Sequence, residues 1–321
     1  LPSLLISDRV KKFLLAIKPY LRWIIFGGTL FFILKAFKDN WQNVAAVKIE
    51  PRGWLILAIA LMITLLAHIW SGWVWTELLK AFKQPVTRGW GLQVYLITNL
   101  AKYLPGNVGH FYGRISAVYK AGGSIEVASL SVLLEPLLMA AAAFLITLLA
   151  SSIGLIETNF SPWLWHINIF LLIAVLLGFH PKILNPSLQF LSRLKNKEKD
   201  STITIEQYPS IFLLGEIVFL LLRGSGFLLT WMALIPLNFS QIPTLFSVFS
   251  FAWLMGLIVP GAPGGIGVFE AVAIALLSRQ DFPTGIILSI IALFRIVSIL
   301  AEAIAAGLAW LMSKAEGNSQ K

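Results

Sequence analysis

Long uninterrupted apolar runs, rather than alternation, organise this chain. Six segments, at about 20–37, 53–79, 125–152, 163–180, 210–237 and 284–312, reach or approach the roughly 20 apolar residues a helix needs to cross a bilayer core. Two further apolar regions, 90–120 and 243–278, are each interrupted near the middle by Pro and Gly. Pro removes a backbone donor and Gly lets the chain reverse, so each region is expected to be a re-entrant helix pair that enters and leaves by one face. Such backbone is permitted at membrane depth only where protein or a wet cavity meets it. A tight turn between two ordinary short helices is the plainer alternative. Before residue 20, Leu4, Leu5, Val10, Phe13, Leu14 and Ile17 stand against Arg9, Lys11, Lys12 and Lys18, the pattern of an interfacial amphipathic helix over 1–19. Because the chain opens on Leu1, a native start further upstream is expected.

Composition narrows the class. With 58% hydrophobic and 12% charged residues in 321, and a mean hydropathy of +0.82, a soluble domain would have a largely apolar surface. The fold class expected is therefore an all-α integral membrane protein. The net charge of +10 would suggest nucleic acid in a soluble protein, but here Lys and Arg mostly flank apolar segments, where they report sidedness and contact with anionic lipid. A cytoplasmic N-terminus with both broken regions re-entrant puts eighteen of the 25 Lys and Arg inside and five outside, leaving Arg223 and Arg295 within spans. Both termini and the linker 181–209 then lie in the cytoplasm. Full crossing by the broken regions would instead put the basic run Lys182 to Lys199 outside.

The two breaks share a motif. "PGNVGHF" (105–111) lies on "PGGIGVF" (263–269), with Pro, both Gly and Phe identical and Val108 opposite Ile266. Composition alone would give a second such pattern about 0.006 times in a chain this long, so the motif marks an internal repeat. One half covers 20–180; the other covers 210–321 and is counted with helix 163–180. Three full spans precede the second copy, so the halves are expected to face opposite ways across the membrane. Inverted repeats with broken helices are a transporter architecture, with the site near the midplane where the breaks meet. The N–H groups near Gly109 and Gly267, at the start of each following half-helix, are expected to suit an anion such as phosphate.

Charges inside apolar helices are the next signal. Arg223 and Arg295 each cost about 2.5 to 3.5 kcal/mol at a bilayer centre, so each should face a partner or a cavity. Glu135 and Arg295 fall thirty and thirty-two residues after Pro105 and Pro263, which makes them candidate partners across the repeat axis. Glu216 and Glu302 each lie seven residues from an Arg on their own helix and on roughly its face. Isolated structural pairs are one reading of these residues; a polar cavity at the midplane is the other. His68, within a Trp-rich helix, is a weak candidate, and its tryptophans suit interface anchoring.

Catalytic signatures are missing. There is no Gly-Lys pair for a P-loop, no H-E-x-x-H, no G-x-S-x-G and no cysteine, and the histidines at 68, 110, 166 and 180 lack metal-ligand spacing. No cofactor, no metal and no enzymatic activity are expected. "NLAKYLPGNVGHFYGR", "LSVLLEPLLMA" with Glu135, "GLIVPGAPGGIGVFEAV" and "LFRIVSIL" with Arg295 resemble the landmarks of the transmembrane region of lysylphosphatidylglycerol synthase and its stand-alone membrane relatives, over about 20–312. The resemblance implies a bacterial plasma-membrane protein and a flippase role, since in two-part members this region is regarded as moving aminoacylated phosphatidylglycerol outward. It also implies that the synthase activity is absent here, because the soluble domain that carries it is not in this sequence.

The leading expectation is a lipid transporter for an anionic, phosphate-bearing headgroup. Its candidate binding set is Arg223 and Arg295, with Gly106, Asn107, Gly109, His110 and Arg114 at the first break and Gly264, Gly265 and Gly267 at the second. Glu135, Glu270, Glu216 and Glu302 would balance charge or carry protons. A membrane-embedded headgroup transferase using His110 or a Glu as base, or an accessory subunit of a lipid-linked glycosyltransferase, are the alternatives. Expected partners are membrane lipids, with a homodimer or a separate transferase compatible with the sequence and nucleic acid excluded. Gly215, Gly224 and Gly226 permit close helix packing, within or between chains.

Overall fold

The computed structural model describes residues 38, 42, 48–103, 108–152, 162–178, 180–183, 185–186, 209–259, 263–278, 282 and 284–319. The amphipathic helix 1–19, the span 20–37, most of the linker 181–209, and Gly106 and Asn107 lie outside them. Among the described residues the secondary structure is helical throughout: α1 (Pro51–Ala81), α2 (Arg88–Asn99), α3 (Gly109–Lys120), α4 (Ile125–Ser152), α5 (Pro162–Gly178), α6 (Ser210–Met232), α7 (Ile242–Ile258), α8 (Val268–Leu277) and α9 (Thr284–Ser319). Short 3-10 turns occupy Leu100–Tyr103, Phe239–Gln241 and Pro263–Gly265.

Local sequence accounts for these boundaries. Pro51 opens α1 at the first helical position, where its missing N–H has no intrahelical bond to make. The Thr87 side chain caps α2 by accepting the Trp90 N–H, and α4 is a run of strong helix formers that carries Pro136 within it. Four expected spans, α1, α4, α6 and α9, are long and apolar enough to cross a membrane, while α5 is described over 17 residues.

The broken regions are unequal. In the first, α2 and α3 have 12 residues each, or about 18 Å of helix. In the second, α7 and the turn before it form a 20-residue apolar stretch, Phe239–Ile258, itself long enough to cross. The two arms differ in composition as well: α2 carries Arg88, Gln93 and Asn99, whereas α7 has no charged residue.

The packing pairs corresponding helices of the two expected halves in like ways. The second helices of the two halves, α1 and α6, lie extensively against each other. The last helix of each half packs on the first arm of the other half's broken region, α4 on α7 and α9 on α2. Likewise α9 packs on α1 as α4 packs on α6, and the turns Leu100–Tyr103 and Pro263–Gly265 touch. Lipid tails are as apolar as the helices, so association rests on close fit. Gly215 faces Val74 and Gly226 faces Thr64 on α1, while Gly224 faces Phe246 on α7, all within one chain. Phe227 of α6 stacks on Phe249 of α7 at 5.7 Å and meets Phe294 of α9 edge-on at 5.3 Å, which fixes the second half around its break.

Candidate functional site

The two breaks meet at Tyr103 and Gly264. A Cβ added to Gly264 would lie 2.8 Å from the Tyr103 ring. Gly264, Gly265 and Gly267 have φ of +59°, +70° and +91°, backbone that L side chains rarely adopt, so the close approach and the reversal both require glycine here. Glu270, third residue of α8, turns back so that its Oε2 accepts the Gly267 N–H at 2.6 Å. Its Oε1 accepts Arg295 Nε from α9 at 2.6 Å, and Arg295 Nη2 closes on the same oxygen. Arg295 Nη1 also reaches the Gly264 carbonyl at 3.4 Å.

Seven residues along α9, Glu302 Oε1 accepts from Lys102 Nζ at 2.8 Å and lies 3.2 Å from His68 Nε2 of α1. Tyr103 is within electrostatic reach of the same carboxylate. Arg223 of α6 is 1% exposed, with its guanidinium over the rings of Trp253 at 5.0 Å and Phe294 at 5.2 Å. Its Nε and Nη1 are buried without a hydrogen-bond partner. The ring faces attract the cation but accept no conventional hydrogen bond. Among the described residues, Lys102, Arg223 and Arg295 thus face two carboxylates, Glu270 and Glu302, and the surplus positive charge falls on Arg223.

A second network holds the first break. Arg114 of α3 donates from Nη1 to Glu135 Oε2 on α4 at 2.6 Å, with its guanidinium 3.8 Å from the centre of the Tyr95 ring. The Tyr95 hydroxyl donates to Glu135 Oε1 at 2.7 Å and lies 2.6 Å from Ser71 Oγ. Each half therefore ties its post-break half-helix to its next long helix by one buried ion pair. The polarity is reversed: Arg114 to Glu135 in the first half, Glu270 to Arg295 in the second.

These pairs correct two expectations. Glu135 and Arg295 are not mutual partners, because each half closes its own break with a charge on the half-helix that precedes them. Nor do Glu216 and Glu302 pair with the Arg on their own helix: Glu302 accepts from Lys102 with the His68 ring beside it, and Glu216 has no hydrogen bond at either oxygen. The α8 start is already capped by Glu270, so the Gly267 N–H is engaged. Gly109 packs at the start of α3, where an added Cβ would lie 2.8 Å from the Ala101 carbonyl oxygen. His110 sets its ring against Phe111 at 3.9 Å, tilted by 42°, and leaves Nδ1 without a hydrogen-bond partner.

Sequence reasoning passed over Lys102, Tyr95 and Ser71, and the structure places His68, a weak candidate in the sequence, beside Glu302. The signal for His68 was its position, an ionisable residue inside a long apolar helix. Lys102 and Arg114, counted as cytoplasmic charges, are ion-paired beside the breaks and report no sidedness. Apart from this junction, a cavity of about 190 Å³ opens between α1, α2 and α9, lined by Ile69, Leu92, Leu96, Ala305 and Leu308 among others. It begins one turn along α9 from Glu302.

No curated protein matches this chain. The family model described as the lysylphosphatidylglycerol synthase TM region matches residues 19–306, nearly the whole sequence and both Pro-Gly breaks with their ion pairs. The chain is an integral membrane protein with a lipid-related role, and it belongs to the lysylphosphatidylglycerol synthase transmembrane-region family.

Proposed function

We propose that the chain moves an anionic, phosphate-bearing lipid headgroup across the bilayer, without altering it chemically, past the junction of its two breaks. The observation that carries this reading is Arg223: a buried guanidinium with two unpartnered nitrogens, at a junction with one more cation than carboxylate. An unpaired charge held in an apolar interior is costly, and a phosphate oxygen would satisfy it with charge-assisted hydrogen bonds. The apolar groove between α1, α2 and α9 suits an acyl tail, since its lining is almost wholly apolar and includes Ala305, one turn along α9 from Glu302. Arg295, engaged by Glu270 and the Gly264 carbonyl, serves to hold the second break in shape.

The test is leaflet exchange of headgroup-labelled phosphatidylglycerol in proteoliposomes, read with a membrane-impermeant quencher. Wild type should exchange label, Arg223→Gln should lose at least tenfold in rate while remaining monodisperse, and mass spectrometry should find the lipid unaltered. Normal exchange by folded Arg223→Gln would remove that residue from the path. A mass change in the lipid on incubation with a donor would favour the transferase reading instead.

A further inference from the structure

Glu216 plays no part in the headgroup site, yet it is the most fully enclosed carboxyl of the cluster, with no exposed surface and no hydrogen bond at either oxygen. It sits on α6 where that helix is pressed on α1: the neighbouring Gly215 meets Val74, and its carbonyl accepts Trp70 Nε1 at 2.8 Å. The charged groups that act on it are Glu135 of α4 and Arg114 of α3, and the Tyr95 ring of α2 lies within the same electrostatic reach. From α1, Ser71 bonds to Tyr95 of this network, beside the Trp70 indole on the Gly215 carbonyl.

This cluster has an imbalance that geometry makes plain. Two carboxyl groups share one arginine, and that arginine is committed to Glu135. Arg114 nevertheless keeps its Nε buried without a partner, so one unused donor and two unused acceptors coexist among the same residues. A second bare carboxylate beside Glu135, with no donor at either oxygen, would be strongly disfavoured in this interior; a neutral carboxylic acid is not.

We infer that Glu216 is a proton-binding site whose occupancy is linked to the position of α3. In the described arrangement Glu216 carries a proton and Arg114 pairs with Glu135. When α3 shifts, the Glu216 O–H bond breaks, the proton leaves to water, and the new carboxylate takes Arg114 through its spare Nε. Glu135 keeps the Arg114 Nη1 and the Tyr95 hydroxyl, so both carboxylates share the one guanidinium. Because α3 is the half-helix that follows the first break, a proton lost from Glu216 and a movement of that break become one event. Linking that event to lipid movement rests on the transport reading above; the proton site itself does not.

Infrared spectroscopy of the purified full chain in nanodiscs reads the site directly. At neutral pH wild type should show the carbonyl absorption of a protonated carboxyl, Glu216→Gln should lose it, and Glu216→Asp should keep it at a shifted frequency. Persistence of the band in Glu216→Gln, or its absence from wild type, overturns the assignment. Proteoliposomes holding an imposed pH difference then read the coupling. Phosphatidylglycerol exchange by wild type should change at least threefold with the gradient, and exchange by Glu216→Gln should not respond. Exchange by wild type that ignores the gradient overturns the coupling and leaves transport standing. If no variant exchanges lipid at all, the transport reading falls and the infrared band alone decides the proton site.

Discussion

Replacing Glu270 by Gln perturbs the second break at one point whose consequences can be estimated from its contacts. Glu270 accepts the Gly267 N–H on one oxygen and two Arg295 nitrogens on the other. Glutamine keeps one acceptor oxygen, so it can no longer receive the Gly267 N–H and Arg295 on separate oxygens, and it brings no charge to either. Breaking a buried ion pair by removing one member costs about 3–5 kcal/mol, because the other charge is left uncompensated. The Arg295 side chain retains 18% exposure and a 3.4 Å contact with the Gly264 carbonyl, which puts the expectation at the low end, about 3 kcal/mol. That corresponds to roughly a hundredfold in the unfolding equilibrium. Reversible unfolding in mixed micelles, or steric trapping in bicelles, measures it. The double variant Glu270→Gln, Arg295→Gln should recover at least half of the loss, since no charge then remains unpaired. A single variant within about 0.5 kcal/mol of wild type, the spread of ordinary surface substitutions, would refute the claim that this pair holds the break.

The other expectations are simpler. Gly264→Ala places a Cβ 2.8 Å from the Tyr103 ring at a φ of +59°, and should lower the thermal midpoint measured by size-exclusion after heating, whereas Gly178→Ala, with open space around it, should not. Arg223→Met should leave the thermal midpoint unchanged or raised, while Arg114→Met, which strands Glu135, should lower it; the contrast separates a cation kept for binding from one kept for structure. Lys102→Met leaves Glu302 with His68 as its near polar neighbour and should destabilise the chain by about 2–3 kcal/mol in the same unfolding assay. Gly226→Val drives a side chain into Thr64 across the α1–α6 contact and should reduce the yield of monodisperse protein severalfold.

Much of this architecture was readable from apolar runs and two short motifs, because a bilayer forces helices and leaves Pro-Gly breaks conspicuous. The limits are equally physical. The length of α7 was hidden by the break that follows it: 243–278 reads as one interrupted region, and only the packing of α7 on α4 shows that its first arm is a full helix. Ion-pair partners were illegible for a different reason. Helical periodicity puts Glu216 and Arg223 on one face, but it says nothing about which neighbouring helix offers a better-placed charge. Glu135 has Arg114 twenty-one residues earlier in the chain, Glu302 has Lys102 two hundred residues earlier, and neither separation carries a sequence signal.

The reversed polarity of the two ion pairs bears on where an anion can be received. Had both half-helices carried arginine, each break would present a cation on its own half-helix, and an anion would compete with a carboxylate at both. Instead the second break is closed on itself: Glu270 engages both the start of α8 and Arg295, so neither the helix end nor that arginine is left to a ligand without breaking the fold of the turn. At the first break Arg114 is likewise committed, and Lys102 is held by Glu302. What remains is Arg223, which belongs to neither break and is held by aromatic faces from α7 and α9 that do not compete for its N–H groups. An anion can therefore bind there without dismantling either pair. The carboxylates set the shape of the two breaks, and Arg223, which none of them pairs, is where an anion would bind.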